Sequence, residues 1–485
     1  MMVPSCERIE ELAKEYPVVP VCKELYADII TPIALLRKLA QSSKRYFLLE
    51  SVEGGERWSR YSFLGFDPVL RITCKNGVVS ITGEKIETFQ TDHPLEAVRS
   101  LMKRYRAPQI PGLPPFSGGL VGYFAYSMMG YAEPTLHIKE GELNDFDLLL
   151  YDKVIAFDQL RQKICVVVNM KTDKLMENYG KASGEVERII RMIQEPSSLP
   201  AISIDSAVDF HCNVTKEEYC QLVERTKEYI RSGDIFQAVI SRRFQSPYTG
   251  SLLSAYRVLR TTNPSPYMVY LNIDGTEVVS ASPETLVRLQ DGRLTTFPVA
   301  GSRPRGATEQ QDRELEAELL ADQKELAEHN MLVDLARNDL GRISKFSTVE
   351  VTRYQMIHRY SKIMHITSCV EGNIREDRDA CDAIEAVLPA GTLSGAPKIR
   401  ACEIIEEMEA EPRGIYGGAL GYLDFSGNLD TCIAIRMAVN HGGTVTVQAG
   451  GGIVADSVPE MEYEEAGNKA QAIINAIMQA GEVDR

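Results

Sequence analysis

The stretch GALGYLDFSGNLDTCIAIRMAVNHGGTVTVQAGGGIV, residues 418–454, decides how this chain is read. It contains three apolar runs of strand character, GALGYLDF, CIAIRMAVN and TVTVQAGGGIV, with no helical stretch between them. Strands that follow one another directly, with helices interspersed elsewhere, lack the regular rhythm of a doubly wound sheet. They predict a mixed α+β fold.

Working outward, residues 1–195 alternate short strands with turn signals, as in KRYFLLES, RYSFLG, VLRITCKNGVVSITG and KICVVVNM. Asn76-Gly77 sits where a hairpin turn belongs. RMIQEPSSLPAIS, 191–203, is rich in Pro and Ser and reads as a linker, dividing the chain into parts at 1–195 and 205–480. Beyond it, Thr215 and Glu218 form a capping box that opens a helix running through Leu222 and Ile230 to Gly233. The strand IFQAVISRRF follows and is apolar on both faces apart from Gln237, as a strand buried on both sides would be. Two more helices are predicted, one over about 310–339 with a single break, the other from about 397 to Glu411.

The chain has 485 residues, 44% of them hydrophobic and 25% charged, which suits a soluble globular protein of two or three domains or one large one. A net charge of -15 argues against nucleic acid and anionic membrane surfaces as partners. Any anionic substrate must then be met by local cations, backbone amides or a metal. Ten scattered cysteines without a CxxC pair read as reduced, intracellular usage. The amino terminus lacks a signal-peptide layout, and no apolar run approaches the ~20 residues of a membrane span. Cytoplasmic placement is the expectation.

Gly450, Gly451 and Gly452 are followed by five acids, among them Glu462 and Glu465. The glycines either end a strand in a tight turn or bring backbone N–H groups close to an anion. Glu462 and Glu465 share a helix face with Lys469 one turn beyond, so they form a solvated face or, together with Glu328 ahead of MLVDLA, a site for a hard cation such as Mg²⁺. In PAGTLSGAPKIRA, 389–401, Gly391, Gly395 and Pro397 mark a loop leading into a helix, with Ser394 as its cap; the helix start would favour an anion, and Thr392 and Lys398 crowd the same loop. Arg436, within the run CIAIRMAV, needs a partner if buried: a substrate carboxylate or an internal acid. His365 in SKIMHITS reads by default as a satisfied core histidine. Neither glycine segment matches a nucleotide-binding fingerprint.

Longer motifs go further. HNMLVDLARNDLGR, LPAGTLSGAPKIRA, GIYGGALGY and AGGGIVADSVPEMEYEEAGNKA, with LLES, RYSFLG and NPSPYM, closely resemble the chorismate-utilising enzymes, and among these the anthranilate synthase component I family. The resemblance covers about residues 20–475. It implies antiparallel sheets packed as a sandwich with helices outside, and amination of chorismate by ammonia to give anthranilate and pyruvate. It places Mg²⁺ on Glu328 and Glu465 with Glu462 acting through water, a general acid at Glu284, and a proton-accepting histidine at His365. Thr392, Tyr416, Arg436 and the Gly450–Gly452 backbone would hold the substrate carboxylates, with Gln237 and Lys469 beside them. Isochorismate and salicylate synthases carry a lysine where Gln237 stands, and aminodeoxychorismate synthases commonly carry one at Ala300, so direct amination is favoured over either relative. A second implied site binds tryptophan as feedback inhibitor. Leu49, Glu50 and Ser51 would form one wall; Pro264, Pro266, Tyr267, Met268 and Cys432 would form the other. The chain carries no glutaminase, so ammonia would come from a glutamine amidotransferase subunit, component II, in a heterotetramer. A 4-amino-4-deoxychorismate synthase subunit and a noncatalytic tryptophan sensor remain as the alternatives.

Overall fold

The computed structural model describes residues 2–51, 60–196, 202, 208–360 and 363–483. Residues 197–201 and 203 of the Pro/Ser-rich linker, and the first two residues of SKIMHITS, lie outside the described residues. Among the described residues, two twelve-stranded sheets form the centre. Both take strands from either side of the linker. In the first sheet the halves meet where Arg45–Glu50 pairs antiparallel with Tyr267–Ile273, Glu50 opposite Met268. In the second they meet where Gly119–Phe124 pairs with Ala419–Asp424.

Strand alternation builds the layers. Phe47 and Leu49 point between the sheets, where they pack with Val121, Val269 and Leu420. Leu48 and Tyr270 face outward against helices Leu175–Gln194 and Pro459–Gln479, while Leu120 and Val287 face outward against Gln323–Gly341 and Ala380–Val387. Period-two alternation thus produces a sheet-on-sheet sandwich with a helical layer on each outer face. Each fully buried Leu or Phe contributes about 1.5–3 kcal/mol to this core.

The local expectations hold where local chemistry decides. Asn76 (φ 49°) and Gly77 (φ 75°) turn the hairpin between Leu70–Lys75 and Val78–Thr82. The Thr215/Glu218 box opens helix Lys216–Arg231. The long helix breaks at Asp322, which turns extended so that its carboxylate can accept from Lys324 N and Glu325 N and cap the second segment. The later helix, Lys398–Met408, stops short of Glu411: Glu409 is already extended, and Pro412 follows.

One reading is corrected. CIAIRMAVN is not a single strand. Leu429–Ile433 belongs to the second sheet and Met437–His441 to the first, and the chain crosses between them at Ala434–Arg436, with Arg436 at φ 48°. Periodicity within the run carries no sign of the crossing, because both halves are apolar strands.

Candidate active site

A second crossing lies against the first. Thr276–Ser282 ends in the first sheet and Thr285–Gln290 begins in the second, so Pro283 and Glu284 occupy the passage between them. The two crossings are stitched together: Ala281 N donates to Arg436 O (3.0 Å), Ile433 N to Glu284 O (3.0 Å) and Ser282 Oγ to Ile433 O (2.7 Å). Glu284 and Arg436, 152 positions apart in the sequence, are thereby set on adjoining corners of the sandwich.

The Glu284 carboxyl receives a hydrogen bond from Thr392 Oγ1 at 3.1 Å. Burial pushes its pKa up to about 8, with the Thr392 contact opposing the rise. It lines a narrow cavity of about 40 Å³ together with Thr392, Leu335 and Asp339. His365 and Arg436 line a neighbouring cavity of about 180 Å³. Burial holds the imidazole below its ordinary pKa. Its Nδ1 lies 3.2 Å from the Gly301 carbonyl, which can only accept, so Nδ1 carries the proton and Nε2 is left as a base. Gly301 (φ 70°) can aim that carbonyl because the strand bulges between Ala300 and Ser302. Arg436 is buried against its own charge, with Tyr416 and Glu465 as the offsetting groups. Among the described residues no carboxylate forms an ion pair with it, so the internal salt bridge is not found.

The triglycine strand, Thr444–Ile453, closes the site. It pairs with Gln237–Pro247 along its length but with Met437–His441 only as far as Val447, leaving one edge open at Gly450–Gly452. A Cβ at Gly450 would collide with the Ile240 carbonyl, and one at Gly452 with Gln237 Nε2; at Gly451 it would stand 2.8 Å from Glu462 Oε2. Gln237 Nε2 reaches Glu328 Oε1 at 3.4 Å, while its buried Oε1 has no partner. Lys469 Nζ pairs with Glu465 (2.7 Å) and donates to Gly450 O (3.1 Å). Burial raises the pKa of Glu328 and of Glu462, and the Lys469 charge counteracts both rises. The three glutamates therefore gather around one lysine.

Their chemistry fits Mg²⁺. Among the described residues no three acidic, His or Cys side chains converge on one point. A site of one or two carboxylates, completed by water and substrate oxygens, is what this small, strongly hydrated ion takes. Carboxylates whose pKa is raised by burial gain from a neighbouring cation.

The profile of the chorismate binding enzyme family matches residues 44–475. The chain belongs to this family. Within it, the chain is similar to proteins named anthranilate synthase component 1: it is 44% identical to that of Acetivibrio thermocellus, covering 100% of both chains. Identity to the Pseudomonas aeruginosa protein of that name is 46%, covering 96% of each. The crystal structure of anthranilate synthase component I from Streptococcus pneumoniae superposes with a TM-score of 0.78 at 34% identity, covering 93% of this chain and 98% of that one. The chain is placed with the anthranilate synthase component I members, and the sandwich is the chorismate-utilising fold.

Against that family pattern, Glu284, Thr392, His365, Tyr416, Arg436 and the glycines come together, as do the three glutamates with Gln237 and Lys469. The residues expected to form a tryptophan site separate. Leu49, Glu50, Ser51, Pro266, Tyr267 and Met268 line a cavity of about 100 Å³ at the seam of the first sheet. Pro264 instead lines the His365/Arg436 cavity, and Cys432 packs in the inter-sheet core. Glu50 accepts from Ser62 (3.0 Å), Tyr256 (2.9 Å) and both Arg260 Nε (2.8 Å) and Nη2 (3.1 Å), two bonds on each oxygen, so its acceptor sites are occupied within the protein. Two loop readings also change. Ser394 does not cap the following helix; its hydroxyl donates to Ala390 O. Lys398 pairs with Asp339 (2.8 Å) rather than standing ready for an anion.

Sequence reading missed Arg413 and Glu409 altogether. Their side chains, 1% and 7% exposed, pair at 2.7 Å beneath the site. The only local signal is a Glu and an Arg four residues apart across Pro412, indistinguishable in sequence from a surface pair.

Proposed function

We propose that this chain is the aminating subunit of an anthranilate synthase, converting chorismate and ammonia to anthranilate and pyruvate at the entry to tryptophan biosynthesis. One observation carries the reading: Glu284 is a carboxyl with a pKa of about 8, protonated at neutral pH and held by Thr392. Expelling the C4 hydroxyl of chorismate requires a proton, and such a group supplies it.

Arg436, buried and with no carboxylate paired to it among the described residues, receives one substrate carboxylate, flanked by the Gly450–Gly452 backbone and the Tyr416 hydroxyl. Glu328 and Glu465, with Glu462 through water, would hold Mg²⁺, and the ion would then supply neutralisation of the other carboxylate and withdrawal of electron density from the ring. Ammonia bonds to C2 as the ring double bonds shift and the C4–O bond breaks; the hydroxyl leaves as water with the proton of Glu284, and the new ammonium group gives up its extra proton to solvent. His365 Nε2 then takes the C2 proton; the C–O bond between the ring and the enolpyruvyl group breaks, the ring becomes aromatic, and the released enolate picks up a proton at its methylene carbon to become pyruvate. Gln237 cannot deprotonate water, and Ala300 offers no nucleophile, so neither hydration nor covalent capture competes.

Ammonia is delivered by a separate glutamine amidotransferase subunit, in keeping with the lack of any glutaminase motif in the sequence. Tryptophan occupies the cavity at the Leu49/Met268 seam as inhibitor. The test is product identification. Chorismate, Mg²⁺ and ammonium should give anthranilate that disappears with EDTA, while 4-amino-4-deoxychorismate, or no turnover, would overturn the reading.

A further inference from the structure

Three of the residues gathered at the site, Thr392, Gln237 and Tyr416, come from three separate segments, and one guanidinium is bonded to the backbone beside the first two and lies near the ring of the third. Arg413 Nη1 donates to Leu393 O at 2.6 Å, next to Thr392. Its Nη2 donates to Val239 O at 2.7 Å, in the strand that begins with Gln237. Its plane lies 5.7 Å from the Tyr416 ring centroid, with Tyr126 nearer at 4.8 Å. Glu409 fixes the fork by accepting from Nε (2.8 Å) and Nη2 (2.7 Å), and is itself anchored by Ser241 N (2.7 Å) and Ser241 Oγ (2.8 Å). The planar guanidinium thus spends its donors in directions that no lysine could cover at once.

We propose that Arg413, locked by Glu409, is the positioning residue that aligns the Thr392 hydroxyl with the Glu284 carboxyl. The proposal rests on the reading of Glu284 as the reaction's acid. Arg413 reaches Glu284 only through the loop: Leu393 is tied to Arg413, Thr392 precedes it, and Thr392 Oγ1 meets Glu284 Oε1. A core ion pair that served packing alone could be exchanged for apolar residues without touching the acid. A clamp could not.

The alkaline limb of kcat/KM separates these two roles. Thr392 is the group that lowers the proton affinity of Glu284, and the other charged group lining that cavity, Asp339, is paired with Lys398. Arg413→Lys should therefore lower kcat by about 10–100-fold with little change in the KM for chorismate, since the acid is misaligned more than the substrate is loosened. The alkaline limb should move up by about one pH unit, and Thr392→Val should move it equally. An Arg413→Lys enzyme that is less stable but keeps the wild-type alkaline limb would reduce Arg413 to a packing element and overturn the proposal. Where Arg413→Lys does not fold, the double variant Glu409→Leu/Arg413→Met, which leaves no unpaired buried charge, carries the same readout. Should the wild-type chain not turn over chorismate, the reading of the reaction falls by itself. The clamp is then judged by the Glu284 carboxyl band in infrared difference spectra against Glu284→Gln. Its titration should shift upward in Arg413→Lys if the clamp exists and stay put if it does not.

Discussion

Thr392 Oγ1 donates to Glu284 Oε1 across 3.1 Å, joining a glycine-rich loop to the corner where the chain passes from one sheet to the other. Everything else around that carboxyl works to keep it protonated, and the balance makes the acid testable by stability as well as by rate.

In the unfolded chain Glu284 titrates near the ordinary glutamate value of about 4.3, whereas in the folded chain it titrates near 8. The native state therefore binds the extra proton between these values, so its contribution is fully present below the unfolded pKa and is lost as pH rises through about 8. Glu284→Gln, which needs no proton, should melt with the wild type near pH 4.5 and progressively above it up to pH 8–9. Melting temperatures across that range check the sign. The same variant should lose about 10²–10⁴-fold in kcat.

His365 is held neutral by burial, and its Nδ1 proton is committed to Gly301. Its replacement by Ala should leave amination running and stall the loss of pyruvate. Mass spectrometry of the product mixture should then show an aminated ring that still carries its enolpyruvyl group.

The glycines differ in what crowds them. Gly450→Ala drives a methyl into the Ile240 carbonyl, which cannot yield, so the protein should lose about 1–3 kcal/mol in denaturant titrations. Gly452→Ala meets only the end of the Gln237 side chain, so it should fold nearly normally while activity falls. Equal stability losses in the two variants would refute this division.

Glu465→Gln removes both the partner of Lys469 and one of the oxygens assigned to Mg²⁺. The Mg²⁺ concentration for half-maximal activity should rise at least ~10-fold. Isothermal calorimetry with Mg²⁺ checks the effect without turnover.

Glu50, 1% exposed at its side chain, is paired with Arg260. Glu50→Ala should cost about 3 kcal/mol of stability with or without tryptophan, because it strands a cation that is two-thirds buried. Met268→Ala should cost about 2–5 kcal/mol, because its side chain is fully buried in the core, and should in addition weaken tryptophan binding, read as a smaller ligand-induced rise in Tm.

What the sequence by itself determined were the features whose partners lie within a few residues. The capping box at Thr215, the Asn76-Gly77 turn, the single break in the long helix and the strand runs are all local, and the long motifs identified the family. What only the tertiary structure decided were contacts between distant segments. CIAIRMAVN reads as one strand because both halves are apolar, yet Arg436 stands at a corner between two sheets. Lys398 reads as an anion ligand until Asp339, 59 positions away, is found neutralising it. Glu409 and Arg413 drew no reading at all, since nothing in the sequence sets them apart from a surface pair; only the Gln237 strand and the Thr392 loop packed on them do so. Periodicity and turn chemistry record which face of an element is buried; they do not record what is packed against it, and for a charged group the packed partner decides between a ligand, a brace and a solvated side chain.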